Sequence, residues 1–507
     1  MPNSHRDCKP FSLLMAEMKD ENRLRRCLGP VQLTGLGVGA IIGAGIFVAT
    51  GEAAHNTAGP ALMISYVMAG VACIFAALCY AEFASMVPIA GSAYTYAYAT
   101  MGQLFAWIIG WDLVLEYAVG SATVANGWSS YFQTILPKMG IHVPEKLSQA
   151  PIIYDAALGA FKSTGAIFNL PAVIIVAIVT AVLVKGIQES ASFNATMVFV
   201  KLAAVLFVIL VGAFYVNPEN WTPFAPYGWT GLSFFGKHVS GQVDAGGHPL
   251  GMLAGAAIIF FAYIGFDSVS THAEEAKRPQ RDVPIGIIAS LLICTVLYIA
   301  VVAVLTGMSK YTQIDTGAGV SVAFRQAGLP WAEVIISAAG VAGITSVLLV
   351  MMLSGPRVFL AMARDGMVPA SFFGAVHPKF RTPYKSTILI GVFVAILAGL
   401  LPIGALLHLT NIGTLFAFVV VCIAVLIMRR TNPQAERPFR CPLVPLVPIL
   451  GIASCLLLMF SLPADNWWRL IVWLGLGLVI YFLYSRHHCV TARMARGEVR
   501  AELETGS

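Results

Sequence analysis

One positively charged side chain stands alone in a long apolar stretch. Lys201 occupies the middle of the segment MVFVKLAAVLFVIL and has apolar neighbours for several residues on both sides. A charge at the centre of a bilayer costs at least ~2.5–3.5 kcal/mol on insertion scales unless it is paired or neutral. Lys201 is therefore a candidate for a group that supplies a fixed positive charge and that loads and releases a proton. The alternatives are a purely structural lysine and one whose ammonium reaches the membrane surface.

Two carboxylates lie in a second apolar stretch, which reads WDLVLEY. Asp112 and Glu116 are spaced so that a helix would place both on one face. Such a pair would bias a pathway toward cations, either protons or a basic substrate side chain. Glu116 is the deeper residue and the better candidate, whereas Asp112 is expected to be structural.

A third stretch offers hydroxyl and thioether groups. The hydroxyls of Thr345 and Ser346 are expected to face Lys201, which makes Ser346 a candidate for the coupling site. Met351 carries a flexible thioether that suits the floor of a binding pocket. The alternative for Met351 is plain helix packing, which is the commoner role of a methionine in a membrane helix.

Near the start of the chain, residues 31–51 read VQLTGLGVGAIIGAGIFVATG, which is long and apolar enough to cross a bilayer. Gly43, Ala44 and Gly45 near its middle predict a break, because glycine weakens a helix interior and tolerates unusual backbone shapes. Free N–H groups at Ala44 and Gly45 would suit a carboxylate, and free C=O groups near Ile41 would suit an ammonium. An amino acid carries both charges. The alternative is that the glycines only let helices pack closely.

Composition excludes an ordinary soluble enzyme, because 58% of the 507 residues are hydrophobic and only 11% are charged. The chain predicts an all-α polytopic membrane protein with 12 transmembrane helices. The expected spans are 31–51, 61–87, 93–126, 167–185, 190–215, 250–272, 284–307, 331–362, 386–402, 405–428, 443–462 and 467–485.

Lysine and arginine near the span ends predict the orientation, with both termini in the cytoplasm and the protein in the cell membrane. No cleavable signal peptide is visible in the first ~30 residues. The nine cysteines form no CxxC or Cys/His spacing, so neither a metal site nor structural disulfides are expected. No catalytic constellation, phosphate-binding loop or nucleic-acid motif is present, and neither enzyme activity, a cofactor nor a nucleic-acid partner is predicted.

The sixth span repeats the theme of the first. In the stretch FFAYIGFD, which begins at Phe260, Gly265 again sits in the middle of a span and a polar stretch follows, where Asp267 is expected to cap a second half-helix. Two interrupted helices at matching places in oppositely oriented halves indicate an inverted-repeat transporter with its site at the midplane. The predicted segments are 1–30 (N-terminal tail), 31–216 (first repeat), 217–249 (extracellular loop), 250–430 (second repeat), 431–486 (last two spans) and 487–507 (C-terminal tail).

With GAIIGAGIFVATG, WDLVLEY, FFAYIGFDSVSTHAEEAKRPQRDVPIGI, RVFLAMARDGMVP and RPFRCPLVP assembled, the chain resembles the amino acid–polyamine–organocation superfamily. Within it, the chain is most similar to the bacterial branch of the cationic amino acid transporter family. The resemblance implies a LeuT-like fold of 5+5 inverted repeats with discontinuous helices 1 and 6, followed by two accessory helices.

The resemblance also implies roles for individual residues. The N–H groups of Ala44 and Gly45, beside Gly43, would hold the substrate carboxylate. Lys201 matches a lysine that replaces a sodium ion in proton-coupled relatives, and Glu116 matches an acid linked to side-chain recognition or coupling. Phe266 would lie near the substrate and gate the outward path. The substrate ammonium would be held by the C=O groups of Ile41, Phe261, Ala262 and Ile264.

These features predict a sodium-independent, proton-coupled symporter of L-amino acids that works by alternating access. The predicted substrates are cationic amino acids such as arginine and lysine, small neutral ones such as alanine, or both. The small neutral ones are included because Met351 would shorten the pocket. An amino acid exchanger and a non-transporting amino acid sensor are the alternatives. A monomer in the lipid bilayer is expected, and the sequence leaves open whether a small single-span membrane protein packs against it.

Overall fold

The computed structural model describes residues 28–86, 92–155, 158–186, 191–235, 237–266, 269 and 276–496. Asp267, the rest of the polar stretch after the sixth-span glycine and most of both predicted tails lie outside these residues. The described part of the chain is mainly helical.

The helices used below are numbered in chain order. They are α1 (Pro30–Ile41), α2 (Leu62–Met86), α3 (Ser92–Thr100), α4 (Gln103–Ile135), α5 (Leu170–Lys185), α6 (Ala191–Gly212), α7 (Met252–Ile259), α8 (Pro279–Met308), α9 (Gly319–Gln326), α10 (Pro330–Arg364), α11 (Tyr384–Leu400), α12 (Ile403–Thr431), α13 (Leu446–Met459) and α14 (Ala464–Ile480). Shorter helical segments include Gly45–Ala49, Thr50–Ala53, Ala54–Ala58, Phe260–Tyr263, Ala370–Phe373, Tyr481–Ser485 and Val490–Ala495.

Seven helical runs in the described residues are long and apolar enough to cross a membrane, and four shorter apolar helices accompany them. The first run, Pro30–Met86, contains both the first and the second predicted spans. The third predicted span differs from the structure: Gly102 has φ +92° and separates α3 from α4, which then continues to Ile135. A positive φ of this size is readily adopted only by glycine, so the helix cannot run through that position unchanged.

Two small antiparallel sheets lie in the connections between helices. Strands β1 (Ile152–Asp155) and β2 (Ala160–Ser163) form one, and β3 (Gly231–Phe234), β4 (Lys237–Val243) and β5 (Pro249–Leu250) form the other in the order β3-β4-β5. The hydroxyl of Tyr154 donates to Asp244 at 2.8 Å, which joins the two sheets. Burial raises the pKa of Asp244, but the hydrogen bonds from His248 and Tyr154 outweigh it and hold that pKa below its ordinary value.

The opposite end of the molecule is held by a buried ion pair. Glu82, near the end of α2, is only 2% exposed and accepts two hydrogen bonds from the guanidinium of Arg429, at 2.9 and 2.8 Å. Arg437 also lies 3.2 Å from the same carboxylate. Because Glu82 ends the second predicted span, the sequence predicts that it lies near the cytoplasmic membrane surface, and this stays a prediction. The structure adds its partners: Arg429 in the last turn of α12 and Arg437 in the connection after α12 cover the carboxylate.

Candidate functional site

The first helix is interrupted where the glycines predict a break. Helix α1 ends at Ile41, Ile42 is extended with φ −71° and ψ 107°, and helical turns resume at Gly45. A Cβ at Gly43 would lie 2.5 Å from a methyl group of Val347, and a Cβ at Gly45 would overlap the backbone of Ala262. These approaches require glycine, so the break is also a tight crossing point.

A second interruption lies at that crossing. Helix α7 ends at Ile259, the tighter turn Phe260–Tyr263 follows, Ile264 is extended, and Gly265 has φ +118°. A Cβ at Gly265 would lie 2.8 Å from the backbone oxygen of Ala40, which belongs to the last turn of α1. The two interrupted helices therefore meet at both breaks, and each uses a glycine for the contact.

The breaks leave backbone groups of both signs near one another. Among the described residues, the N–H groups of Gly43 and Ala44 donate no backbone hydrogen bond. On the other side, Phe261 C=O accepts from the N–H of Ile264 at 3.2 Å. The unpaired N–H groups suit a carboxylate, as expected from the sequence.

The carbonyls of Ile41 and Ala262 have a partner that the sequence did not predict. The hydroxyl of Tyr298, in α8, donates to Ile41 O at 2.8 Å and to Ala262 O at 3.1 Å. A hydroxyl has one hydrogen, so the two carbonyls share it, and each keeps a lone pair for a further donor. Tyr298 thus joins both breaks. The sequence feature that could have indicated this role is a single tyrosine in a mainly apolar span.

Lys201 reaches the first break. Its side chain is 1% exposed, and its ammonium donates to Gly39 O in the last turn of α1 at 2.6 Å. Across from it, a Cβ at Gly343 of α10 would lie 3.1 Å from the lysine chain. The contact between Lys201 and the carbonyls of the first half-helix is the one expected from the sequence.

The neighbouring hydroxyls are arranged differently from the prediction. Thr345 accepts from the indole N–H of Trp128 at 2.9 Å and donates to Val341 O at 2.7 Å, so it faces α4 rather than Lys201. Ser346 is half-buried, and no hydrogen bond described for it joins it to Lys201. Thr345 is only two residues from Gly343, which contacts Lys201, but the helix turns the threonine toward Trp128.

The two acids of α4 are both buried, Asp112 at 2% and Glu116 at 6% exposure. The carboxylate of Asp112 lies against α12, where a Cβ at Gly413 would be 2.8 Å from Oδ2. Asp112 also interacts electrostatically with Arg469 of α14. Glu116 lies one turn before Gly120, which packs against Met351, so it is near the face where side chains of the substrate would extend.

Met351 fills the space between three helices. A Cβ at Gly120 would lie 3.5 Å from both the Met351 sulfur and the side chain of Thr410. Met351 is buried, with 7% exposure. Met351 therefore packs against α4 at Gly120, and its role as a pocket floor stays a prediction.

Phe266 was expected at the outward path, but in the structure it lies on the opposite side of the breaks. Its ring packs against Phe418 with centroids 5.2 Å apart and against Tyr80 with centroids 5.9 Å apart. Tyr80 is near the end of α2 where Glu82 pairs with Arg429 of α12, whereas Tyr66 at the start of α2 reaches Thr50 beyond the first break. Phe266 therefore belongs with the arginine-rich end, which the sequence predicts to be cytoplasmic.

A second residue that the sequence did not single out holds the other break. The side-chain amide of Asn411, in α12, donates to Ala257 O at 2.9 Å and to Ile258 O at 2.8 Å. In a continuous helix these carbonyls would accept from backbone N–H groups one turn further on. Asn411 therefore adds donors to carbonyls in the last turn of α7, where the helix is interrupted.

Comparisons with known proteins give matches over most of the chain. The family model described as amino acid permease matches residues 28–483. The chain is 48% identical to the branched-chain amino acid permease BcaP of Bacillus subtilis over 95% of this chain and 97% of that protein. It is 45% identical to the methylthioribose transporter of the same organism, again over 95% and 97%. Cationic amino acid transporter 4 of Homo sapiens is 35% identical over 82% of this chain and 62% of that protein.

Proposed function

The chain belongs to the amino acid permease family, whose members are transporters and not enzymes, and on that premise we propose that it is a sodium-independent, proton-coupled symporter of L-amino acids. It is a multi-pass membrane protein that alternates between outward-facing and inward-facing states. The proposal includes a LeuT-like arrangement of twelve helices, with 31–216 and 250–430 as inverted repeats and both termini in the cytoplasm.

The observation that carries the proposal is the hydrogen bond from Lys201 to Gly39 O, 2.6 Å long and fully buried. The end of α1 concentrates partial negative charge, which a cation must offset. A resident ammonium does this without a bound metal ion, so sodium is not needed. When the ammonium gives up its proton, the end of α1 loses that cation, and the break can rearrange.

The substrate site is proposed to lie between the two breaks. Gly43, Ala44 and Gly45 offer backbone N–H groups to a carboxylate, while the lone pairs left on Ile41 O and Ala262 O accept from an ammonium. An α-amino acid meets both requirements. Methylthioribose, the substrate named for one relative, carries neither charge and is the poorer fit.

The side chain of the substrate is proposed to extend toward Glu116 and Met351. Because Met351 fills the space beside Gly120, small neutral side chains such as that of alanine fit better than arginine or lysine, although Glu116 can still attract a cationic side chain. Relatives named for branched-chain and for cationic amino acids are both compatible with this range.

Uptake into proteoliposomes of purified protein tests the proposal. Labelled alanine, leucine and arginine are each supplied in sodium-free buffer, with and without an inward proton gradient. Accumulation that requires the proton gradient and no sodium is expected. Accumulation that requires sodium would overturn the role of Lys201, and exchange without net accumulation would favour the antiporter alternative.

A further inference from the structure

Two polar atoms on α12 are buried without a hydrogen-bond partner. Asn411 and Thr414 are 0% and 3% exposed, and neither Oδ1 of Asn411 nor the hydroxyl of Thr414 has a partner within the described part of the chain. A buried polar atom without a partner is destabilising, so such atoms are rare unless they serve a ligand or a water molecule.

Thr414 is unusual among the buried threonines of this protein. The hydroxyls of Thr123, Thr306 and Thr410 each donate to the backbone oxygen four residues earlier, at 2.7 to 2.9 Å. Such a bond is available to any threonine inside a helix. Thr414 makes no such bond, so its hydroxyl is available to a partner outside its own helix.

The neighbours of α12 show which side of the helix Thr414 occupies. Asn411 binds carbonyls of α7, and Phe418 packs against Phe260 with ring centroids 5.5 Å apart, so this stripe of α12 faces the second break. Thr410 instead faces α4, where its hydroxyl lies 3.4 Å from that of Thr123. At about 100° per residue, Thr414 lies about 60° from Asn411 toward Thr410 on the helix circumference. It therefore points into the wedge between the second break and α4.

This wedge is the space into which a substrate side chain would extend in the proposed function, on which the inference rests. Ala262 meets Gly45 at the break, and Met351 and Thr410 both lie against Gly120. We propose that Asn411 and Thr414 form a pair that binds a hydroxyl group on the substrate side chain: Oδ1 of Asn411 accepts its hydrogen, and the hydroxyl of Thr414 donates to its oxygen. Hydroxyl-bearing amino acids such as serine and threonine are then preferred over apolar ones of the same size.

Threonine and valine are suitable probes, because they differ by a hydroxyl in place of a methyl group. Uptake of each labelled amino acid into proteoliposomes gives the ratio of kcat/KM. The intact protein is expected to favour threonine by about threefold to tenfold, the net worth of one buried hydrogen bond. In Thr414→Val the ratio is expected to fall close to one.

Thr410→Val is the matched control on the same helix. Its hydroxyl already donates to Leu406 O at 2.9 Å, so the preference for threonine should survive in this variant. If Thr414→Val does not yield folded protein, Thr414→Ala removes the same hydroxyl without added bulk, and Thr414→Ser should keep the preference.

Equal uptake of threonine and valine by the intact protein would overturn the inference. This is the result expected if water molecules bind to Asn411 and Thr414 in place of the substrate hydroxyl. A preference that persists in both Thr414→Val and Thr414→Ala would overturn it as well. Neither result touches the transport of amino acids itself. Absence of uptake for every labelled amino acid would instead refute the proposed function and, with it, the role of Asn411 and Thr414.

Discussion

Replacing Tyr298 by phenylalanine removes a single oxygen that joins the two interrupted helices. Its hydroxyl donates to Ile41 O at 2.8 Å and to Ala262 O at 3.1 Å, and the side chain is fully buried. The phenylalanine ring keeps the aromatic contacts with Tyr66 and Tyr263, whose ring centroids lie 5.5 and 5.6 Å away. The change therefore isolates the hydrogen bond from the rest of the core.

The magnitude follows from the two carbonyls that lose a donor. Leaving a buried polar group unsatisfied costs about 1–3 kcal/mol, which corresponds to about a 5- to 150-fold change in an equilibrium constant. In the absence of substrate, Tyr298→Phe should therefore lower the unfolding temperature of the purified protein. A bound substrate offers its ammonium to the same carbonyls and restores part of the loss. The stabilisation produced by saturating substrate should accordingly be larger in Tyr298→Phe than in the parent protein.

Tyr263→Phe is the control for this measurement. Tyr263 belongs to the second break, but its hydroxyl donates to Tyr66 O of α2 at 2.8 Å and not to the carbonyls that Tyr298 binds. Both variants should be destabilised without substrate, while only Tyr298→Phe should gain extra stabilisation from it. The reasoning fails if the two variants respond equally to substrate, or if Tyr298→Phe is as stable as the parent protein.

Three further changes test other parts of the structure. Met351→Ser should raise arginine uptake relative to alanine uptake by about tenfold, as expected when a pocket gains room; an unchanged ratio in paired uptake assays would remove Met351 from the pocket floor. Glu82→Gln should destabilise the protein by about 3 kcal/mol in denaturation measurements, because the buried Arg437 and the partly exposed Arg429 lose their counter-charge, and a stability equal to that of the parent would contradict this. Asp244 has a lowered pKa in the folded state, so its contribution to stability is present above its ordinary pKa and is lost as the pH falls through the lower value. Asp244→Asn should therefore lower the unfolding temperature at neutral pH, and a difference from the parent that fails to shrink below about pH 4 would count against the hydrogen bonds of Asp244 as its cause.

The main features of the fold follow from local properties of the chain. The break in the first helix is predictable because Gly43 and Gly45 weaken a helix interior, and the spans are predictable because long apolar runs have few stable alternatives in a membrane. Lys201 stands out for a related reason, since an isolated charge in such a run needs a partner. Gly102 illustrates the limit: its positive φ splits a predicted span, although nothing in the local pattern distinguishes it from other glycines.

The residues that sequence reasoning missed act across the fold. Tyr298 and Asn411 hold carbonyls that are distant from them in the chain, and a lone tyrosine or asparagine in an apolar span does not reveal its partner. The rotation of a helix is equally hard to predict, which is why Thr345 faces Trp128 rather than Lys201. The ion pairs of Glu82 were missed because its partners, Arg429 and Arg437, lie far along the sequence.

The central claim is that Lys201 carries the coupling proton, and substrate-driven proton movement tests it most directly. Proteoliposomes loaded with a pH-sensitive dye are given alanine from outside, without sodium and without an imposed gradient. The parent protein should acidify the lumen as alanine enters. In Lys201→Met, which is one atom shorter and removes the charge, acidification should vanish while counterflow of labelled alanine persists. Acidification that continues in Lys201→Met would contradict the account.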